Sequence, residues 1–327
     1  MKYLHIALLI SSAVFSTTIQ AQEPIVIKFS HVVAPDTPKG QGALLFQKLV
    51  KERLAGKVVV EVYPNSTLFG DDDEIQALRE NKVQMLAPSL SKFDQYTKKL
   101  QIFDLPFFFD DLEAVSRFQR RDAGRELLSA MSGYGIYGLG FWNNGMKQLS
   151  ATKALHSPKD AKGLKFRIQP SAILEDQFKA IEAIPVRIPF SRMYEAARKK
   201  EISGAENPWS NLYSSNLYQQ QPYIVESNHG LLSYMVIVNR DFWLTLPLAT
   251  KIELEGIMEE VTTAVNERSN QINERYKQQL KTVNGVHVRS FSPAEHDEWR
   301  ARMIPLWGKY RADIGEQLMR NARVVNQ

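Results

Sequence analysis

The chain has no cysteine in 327 residues. That excludes a disulfide framework, a thiolate metal site and a thiol nucleophile. A domain of this length builds a core without such staples, so the absence says little about the compartment. Histidine is scarce as well: His5, His31, His156, His229, His287 and His296 are scattered, with no H-E-x-x-H and no ligand-like spacing. Neither G-x-S-x-G nor a P-loop occurs, which argues against the common hydrolase and nucleotide chemistries. A hydrolase built on Trp209 and distant acids is the enzymatic alternative; turnover of an organic acid would reveal it. No cofactor is implied. Beyond the first residues no apolar run approaches the roughly 20 residues that span a bilayer. A basic stripe is missing too. The net charge is +5, and Lys98-Lys99, Arg120-Arg121 and Lys199-Lys200 are interspersed with acids such as Asp71-Asp72-Asp73. No nucleic-acid partner is expected.

What is present begins with a leader. Lys2, the short apolar run Ile6 to Phe15 and the small residues up to Ala21 have the layout of a secretory signal, residues 1–21, cut before Gln22. The run is too short for a membrane anchor. The mature chain is expected to be exported and soluble. With 44% hydrophobic and 24% charged residues it has a normal globular balance, and its length suggests two domains.

The order of elements predicts an α/β protein with parallel strands. "EPIVIKFSHVV" reads as a strand, Pro38 to Leu54 as a helix closed by Gly56, and "VVVEVYPNS" as a second strand. "DDDEIQALRENKV" reads as a helix with acids in its first turn, where the helix dipole favours them. "QMLAPSLSKF" gives a third strand and loop, and Glu113 to Met131 one further helix. Gly133, Gly135 and Gly138 match G-x-G-x-x-G, but a helix precedes them and an extended aromatic segment follows, the reverse of a dinucleotide fingerprint. A second round then follows: "KGLKFRI", a helix over Ser171–Ala180, "IPVRIP", "SRMYEAARKKE", "SGAENPW" and the long apolar strand "ESNHGLLSYMVIVN". Two such rounds suggest two lobes. Pro247 to about Val283 reads as one helix of roughly 50 Å, longer than either lobe. It is expected to cross both as a spine.

Arg167 stands out. Leu164, Phe166 and Ile168 share one face of an extended segment, Lys165 and Arg167 the other, and Pro170 ends the strand. Arg167 therefore sits near a strand's carboxyl end, where open α/β sheets bind ligands. The plain alternative is a solvated strand charge.

Seven blocks, in order along nearly the whole mature chain, now carry a resemblance: "FSHVVAPDTPKG", "VEVYPNSTLFGDDDE", "MLAPSLSKF", "FDLPFFFDD", "FWNNGMKQLSA", "GLKFRIQPS" and "AENPWSN…SNHGLLSYMVIVN". Together they closely resemble the periplasmic solute-binding proteins of tripartite ATP-independent periplasmic (TRAP) transporters, most of all the C4-dicarboxylate-binding DctP branch. The resemblance implies a two-lobed periplasmic-binding-protein-like fold with a central ligand cleft, and a small organic acid, such as succinate, malate or fumarate, delivered to a small and a large membrane permease subunit. It implies residues 22–145 plus 233–272 for the first lobe and 146–232 plus 273–327 for the second, and a periplasmic monomer. It carries the carboxylate-binding role onto Arg167, a second cation onto Lys147, the "ENP" asparagine onto Asn207 and a ligand-packing aromatic onto Phe190. First-lobe contacts fall at Ser89, Ser91 and Lys92, with the end of the first strand near His31 and Val33. The segment "RMYEAARKKEISG" departs from the family pattern: Arg192, Arg198, Lys199 and Lys200 replace neutral or acidic residues, which bears on the substrate.

The chemistry suits a dicarboxylate. A guanidinium meets a carboxylate through two parallel hydrogen bonds, Lys147 adds a compact charge, Asn207 an amide donor, and Phe190 an apolar cover. Closure must also gain from the other lobe. Ser89, Ser91 and Lys92 offer donors there, and Lys39 places a cation at a helix start that already favours anions. Each has a duller reading: Lys147 and Lys92 as surface charges, Asn207 as a turn residue, Phe190 as core, His229 as a structural histidine. The same lobes suit a monocarboxylate, a 2-oxo acid, a sugar acid, an aromatic acid or a sensor subunit, because fold does not fix function.

Overall fold

The computed structural model describes residues 23–326; the leader expected at 1–21 lies outside them. Among the described residues nine strands form one sheet: β1 (Ile25–Ser30), β2 (Val58–Tyr63), β3 (Met85–Leu86), β4 (Ile136–Ala151), β5 (Lys165–Ile168), β6 (Ile184–Arg187), β7 (Gly204–Asn207), β8 (Tyr223–Asn239) and β9 (His287–Ser290). β1 runs parallel to β2 and β3, and β5 parallel to β6 and β7. These are the two αβ rounds read from the sequence.

The rounds are joined by two long antiparallel strands, β4 and β8. The end of β8 pairs with β3, and the end of β4 pairs with β7. Each strand thus belongs to both lobes. Their ladder slips between Gly138 and Gly140, between Asn143 and Gly145, and between Lys147 and Leu149. Such bulges bend a strand and break its pairing, and the last two fall where β4 leaves one lobe for the other. Apolar faces cover both sides of the sheet. Ile27, Phe29, Phe46, Val50 and Val236 form one first-lobe core. Phe166, Ile168, Phe178 and Trp299 form one in the second.

The long helix runs over Leu248–Thr282, 35 residues. Its Leu254, Ile257, Met258, Val261 and Val265 enter the first-lobe core, while Ile272, Tyr276 and Leu280 enter the second. One amphipathic stripe therefore serves both lobes, as its length predicts. Between the two stretches, Asn266 bonds the edge of β4 at Phe141 O (2.9 Å) and Asn143 N (2.8 Å). Among the described residues no strand pairs with that edge there.

Three local expectations change. The single helix expected over Glu113–Met131 stops at Arg120, because Arg121 is extended (φ −78°, ψ 160°). A short turn then restarts with Gly124 pressed on the Phe118 carbonyl, where a Cβ would come within 2.1 Å. The third strand is only Met85–Leu86, since Ser89 caps a tight helical turn over Leu90–Phe93. The C-terminal helices return to the first lobe: Leu306, Tyr310, Ile314, Met319 and Val325 pack in a core with Phe103 and Phe118. Among the described residues, no helix is long and apolar enough to cross a membrane.

Candidate functional site

Thr37 caps the first helix, its hydroxyl accepting from Gly40 N at 3.2 Å, with Pro38 at the first helical position. This fixes the helix start against Ala34 and Pro35, so tightly that a side chain at Gly40 would meet the Ala34 carbonyl. Lys39, in the first turn, is thereby driven inside. Its Nζ donates to Ala87 O (3.0 Å) and lies 3.7 Å from the Tyr234 ring centroid, a cation–π contact. Burial, above all, pushes Lys39 down to about 7; Glu74 pulls it back up and Lys92 lowers it further. Beside it His31 is buried, and burial followed by the Lys39 charge drives its imidazole down to about 3. It is neutral at physiological pH.

On the second lobe, Phe166 and Ile168 of β5 face the core and Arg167 faces the other way, as alternation predicts. Arg167 is turned inward all the same, with 3% of its surface exposed. Its Nε donates to Ile188 O (2.7 Å), and Nη2 lies 3.9 Å from Asp71 Oδ2. Burial lowers its pKa, opposed by Asp71 and Glu206, yet a guanidinium keeps its proton in any protein setting. A buried cation of this kind is costly without an anion.

Arg167 and Lys39 line one cavity from opposite lobes. Val33, Ser89, Asp71 and Tyr234 lie on its first-lobe wall; Phe190, Asn207, Asn211 and Gln169 lie on the other. Gln169 joins the walls, its Oε1 accepting from Ser89 Oγ at 3.1 Å. Of the residues predicted from sequence, the structure brings Arg167, Lys39, Asn207, Phe190 and Ser89 together here. It places the other four elsewhere. Ser91 Oγ donates to Asp104 Oδ1 (2.6 Å). Lys92 is buried in ion pairs with Asp71 and Glu74, behind the wall. His31 is buried against Phe29 and is not among the residues lining the cavity. Lys147 pairs with Glu206 (2.5 Å), which also lies 2.9 Å from His229 Nε2 and accepts from Gln177 Nε2 (3.0 Å). Burial works against the Glu206 charge, but Lys147 and His229 hold it down to about 2. His229 is buried between Glu206 and Ser227. Arg192, Arg198, Lys199 and Lys200 are exposed.

Sequence reasoning missed Asp71, Asn211, Gln169 and Tyr234. Asp71 reads as one of three acids opening a helix. Gln169 sits beside Pro170 like any strand-end residue. A larger groove, about 780 Å³, lies between the helix Leu112–Arg120 and the long helix. Its walls mix Arg120 and Arg125 with Glu255 and Glu259. The smaller cavity, with two cations facing across the lobes, holds the better chemistry.

A two-lobed sheet with a buried cation on each side of the gap defines a solute-binding protein. The chain belongs to the bacterial extracellular solute-binding proteins, family 7, which it matches over residues 29–313. It is 47% identical over 304 residues to the C4-dicarboxylate-binding periplasmic protein DctP of Shewanella loihica, covering 93% of this chain and 90% of that one. It is 45% identical over 304 residues to the protein of the same name in Vibrio cholerae, covering 93% and 91%. Among solved structures it resembles a TRAP periplasmic solute-binding protein of Pseudomonas aeruginosa with bound L-malate, at 57% identity and TM-score 0.86, covering 88% of this chain and all of that one. It also resembles one from Shewanella oneidensis with bound succinate, at 46% identity and TM-score 0.91, covering 93% and 100%.

Proposed function

We propose that this protein is the periplasmic solute-binding component of a TRAP transporter. It captures a C4-dicarboxylate of the succinate, malate or fumarate type and passes it to the membrane permease subunits. The observation that carries this reading is Arg167: buried, held at Nε by Ile188 O, and facing a cavity that Lys39 enters from the other lobe. Two cations on opposite walls suit an acid with a carboxylate at each end. The guanidinium takes one in a fork, Lys39 the other, Asn207 fixes orientation, and Phe190 covers the methylene middle. Contacts from both lobes make the closed state the better binder, so the acid itself drives closure. The DctP relatives and the malate- and succinate-bound structures support the substrate class.

For the lobe boundaries we propose 22–145 with 233–272 and 146–232 with 273–304, the segment 305–326 going with the first lobe because its apolar residues share that core. Export by the N-terminal leader and action as a monomer complete the proposal. Calorimetry with succinate, malate and fumarate, beside a thermal-shift screen of other organic acids, tests it. A ligand at a hundred times its Kd stabilises by about 2.7 kcal/mol. The expected result is saturable one-to-one binding of at least one C4-dicarboxylate. Binding only to a monocarboxylate, a sugar acid or an aromatic acid would replace the substrate class, and turnover would replace the function.

A further inference from the structure

Asp71 is a carboxylate on the wall of an anion site, which needs a reason. It belongs to the first lobe, just ahead of the helix Glu74–Arg79. There its Oδ1 pairs with Lys92, which also pairs with Glu74. Its Oδ2 reaches across the gap: it accepts the backbone N–H of Phe190 and lies 3.9 Å from Arg167 Nη2. Phe190 and Arg167 are both on the second lobe. At 3.9 Å the guanidinium is attracted but not hydrogen-bonded, so its donors remain available to a ligand. Burial disfavours the Asp71 charge, yet Lys92 and Arg167 hold it near 2 and it stays ionised.

We propose that Asp71 is a positioning residue that latches the two lobes around the bound acid. It ties the Phe190 backbone of one lobe to the Lys92 cation of the other. This inference rests on the dicarboxylate-binding reading. The latch acts only when the lobes are together, because its partners sit on different lobes, and so it favours the closed state over the open one whatever fills the cavity. It also holds the segment carrying the Phe190 ring over the ligand. Lys92 offsets the charge Asp71 brings, which would otherwise repel the acid.

Two substitutions separate the hydrogen bond from the charge. Asp71→Ala removes both. Asp71→Asn keeps an oxygen for the Phe190 N–H and removes the charge beside Arg167. Stopped-flow binding of succinate should show dissociation from Asp71→Ala at least tenfold faster than from the parent protein. Asp71→Asn should dissociate within threefold of the parent. Association should be no slower in either variant, since each loses a negative charge near an anion site. A second readout follows the lobes directly. The absence of cysteine allows clean spin labels at Lys48→Cys and Lys162→Cys, whose side chains are 68% exposed and lie on different lobes. In Asp71→Ala the long-distance population should persist at saturating succinate, and without ligand the short-distance population should shrink. Dissociation of Asp71→Ala within twofold of the parent, with unchanged distances, overturns the latch. So does Asp71→Asn losing as much as Asp71→Ala. If the parent protein binds no C4-dicarboxylate, the substrate reading fails instead, and the distances of the unliganded proteins still decide the latch.

Discussion

Lys147 Nζ lies 2.5 Å from Glu206 Oε1, and both side chains are buried. The pair ties β4 to β7 just past the point where β4 crosses between lobes. The second cation expected at the ligand is thus neutralised in place, and the cation that faces the cavity opposite Arg167 is Lys39.

That relationship predicts a division of labour between the two lysines. Lys147→Met strands the Glu206 carboxylate with only His229 and Gln177 beside it. Breaking one side of a buried pair costs about 3–5 kcal/mol, so the urea midpoint should fall markedly. Lys39→Met should leave the midpoint at or above that of the parent and weaken succinate binding instead. A Lys147→Met protein with an unchanged midpoint and a hundredfold loss of affinity would assign that lysine to the ligand.

The spine should fail at one amide. Asn273 Nδ2 donates to Asn144 O (2.5 Å) and to Ser269 O (2.9 Å), and its Oδ1 accepts from Ser210 N (3.0 Å). One side chain of the long helix thus satisfies backbone at the β4 crossover and at the start of a second-lobe helix. Gly145 is bare at this contact; a Cβ there would come within 2.8 Å of the Asn273 amide. Asn273→Leu leaves Asn144 O and Ser210 N buried without that partner, at about 1–3 kcal/mol each, while Ser269 O keeps its helical bond. Urea unfolding should show a loss of that order, and hydrogen exchange should quicken at Asn144–Met146 and Ser210. Protection unchanged at both places would remove the helix's role at the crossover.

How much of this was legible follows from which signals are local. The first helix and the long helix end within a residue of expectation, while β1 and β5 are shorter than expected by two or three residues at an end, since the edges of a strand carry no cap. The place of Arg167 near the end of β5 was legible because strand alternation and the Pro170 stop are read within a few residues; its burial was not. The pairing of β4 with β8 was not, since register between distant strands leaves no local mark. Lys147 and Lys92 share a composition with free cations. Only the fold brings Glu206, Asp71 and Glu74 to them. Asp71 was hidden by a competing local reading, because acids at a helix start need no further explanation.

Arg167 itself sets a geometric test. Arg167→Ala should weaken succinate binding by about 2–5 kcal/mol, since it leaves a carboxylate buried without its partner. Arg167→Lys should recover only part of this, because an ammonium lacks the fork and cannot keep the Ile188 carbonyl while holding a carboxylate. Calorimetry reads both. Full recovery by lysine would reduce the site to a point charge.

The last consequence is a pH dependence from Lys39. Burial depresses it to about 7, against roughly 10.4 in an unfolded chain. Between those values the unfolded chain holds the proton more tightly, so this group's contribution to stability rises with pH across that window. Binding has the opposite sign. A carboxylate placed beside Lys39 favours its charged form, so the complex takes up a proton that the free protein has released. Above pH 7 the affinity for a dicarboxylate should therefore fall, by up to about tenfold per pH unit while one proton is linked. Below pH 7 Lys39 is charged in both states and contributes no slope. Glu74, itself pushed up by burial, and Lys92 and Asp71 share its surroundings. Lys39→Met isolates the contribution and should flatten the profile. Calorimetry at pH 8 in buffers of different ionisation heat measures the proton directly. An affinity constant from pH 7 to 9, with no proton uptake in any buffer, would take Lys39 away from the ligand.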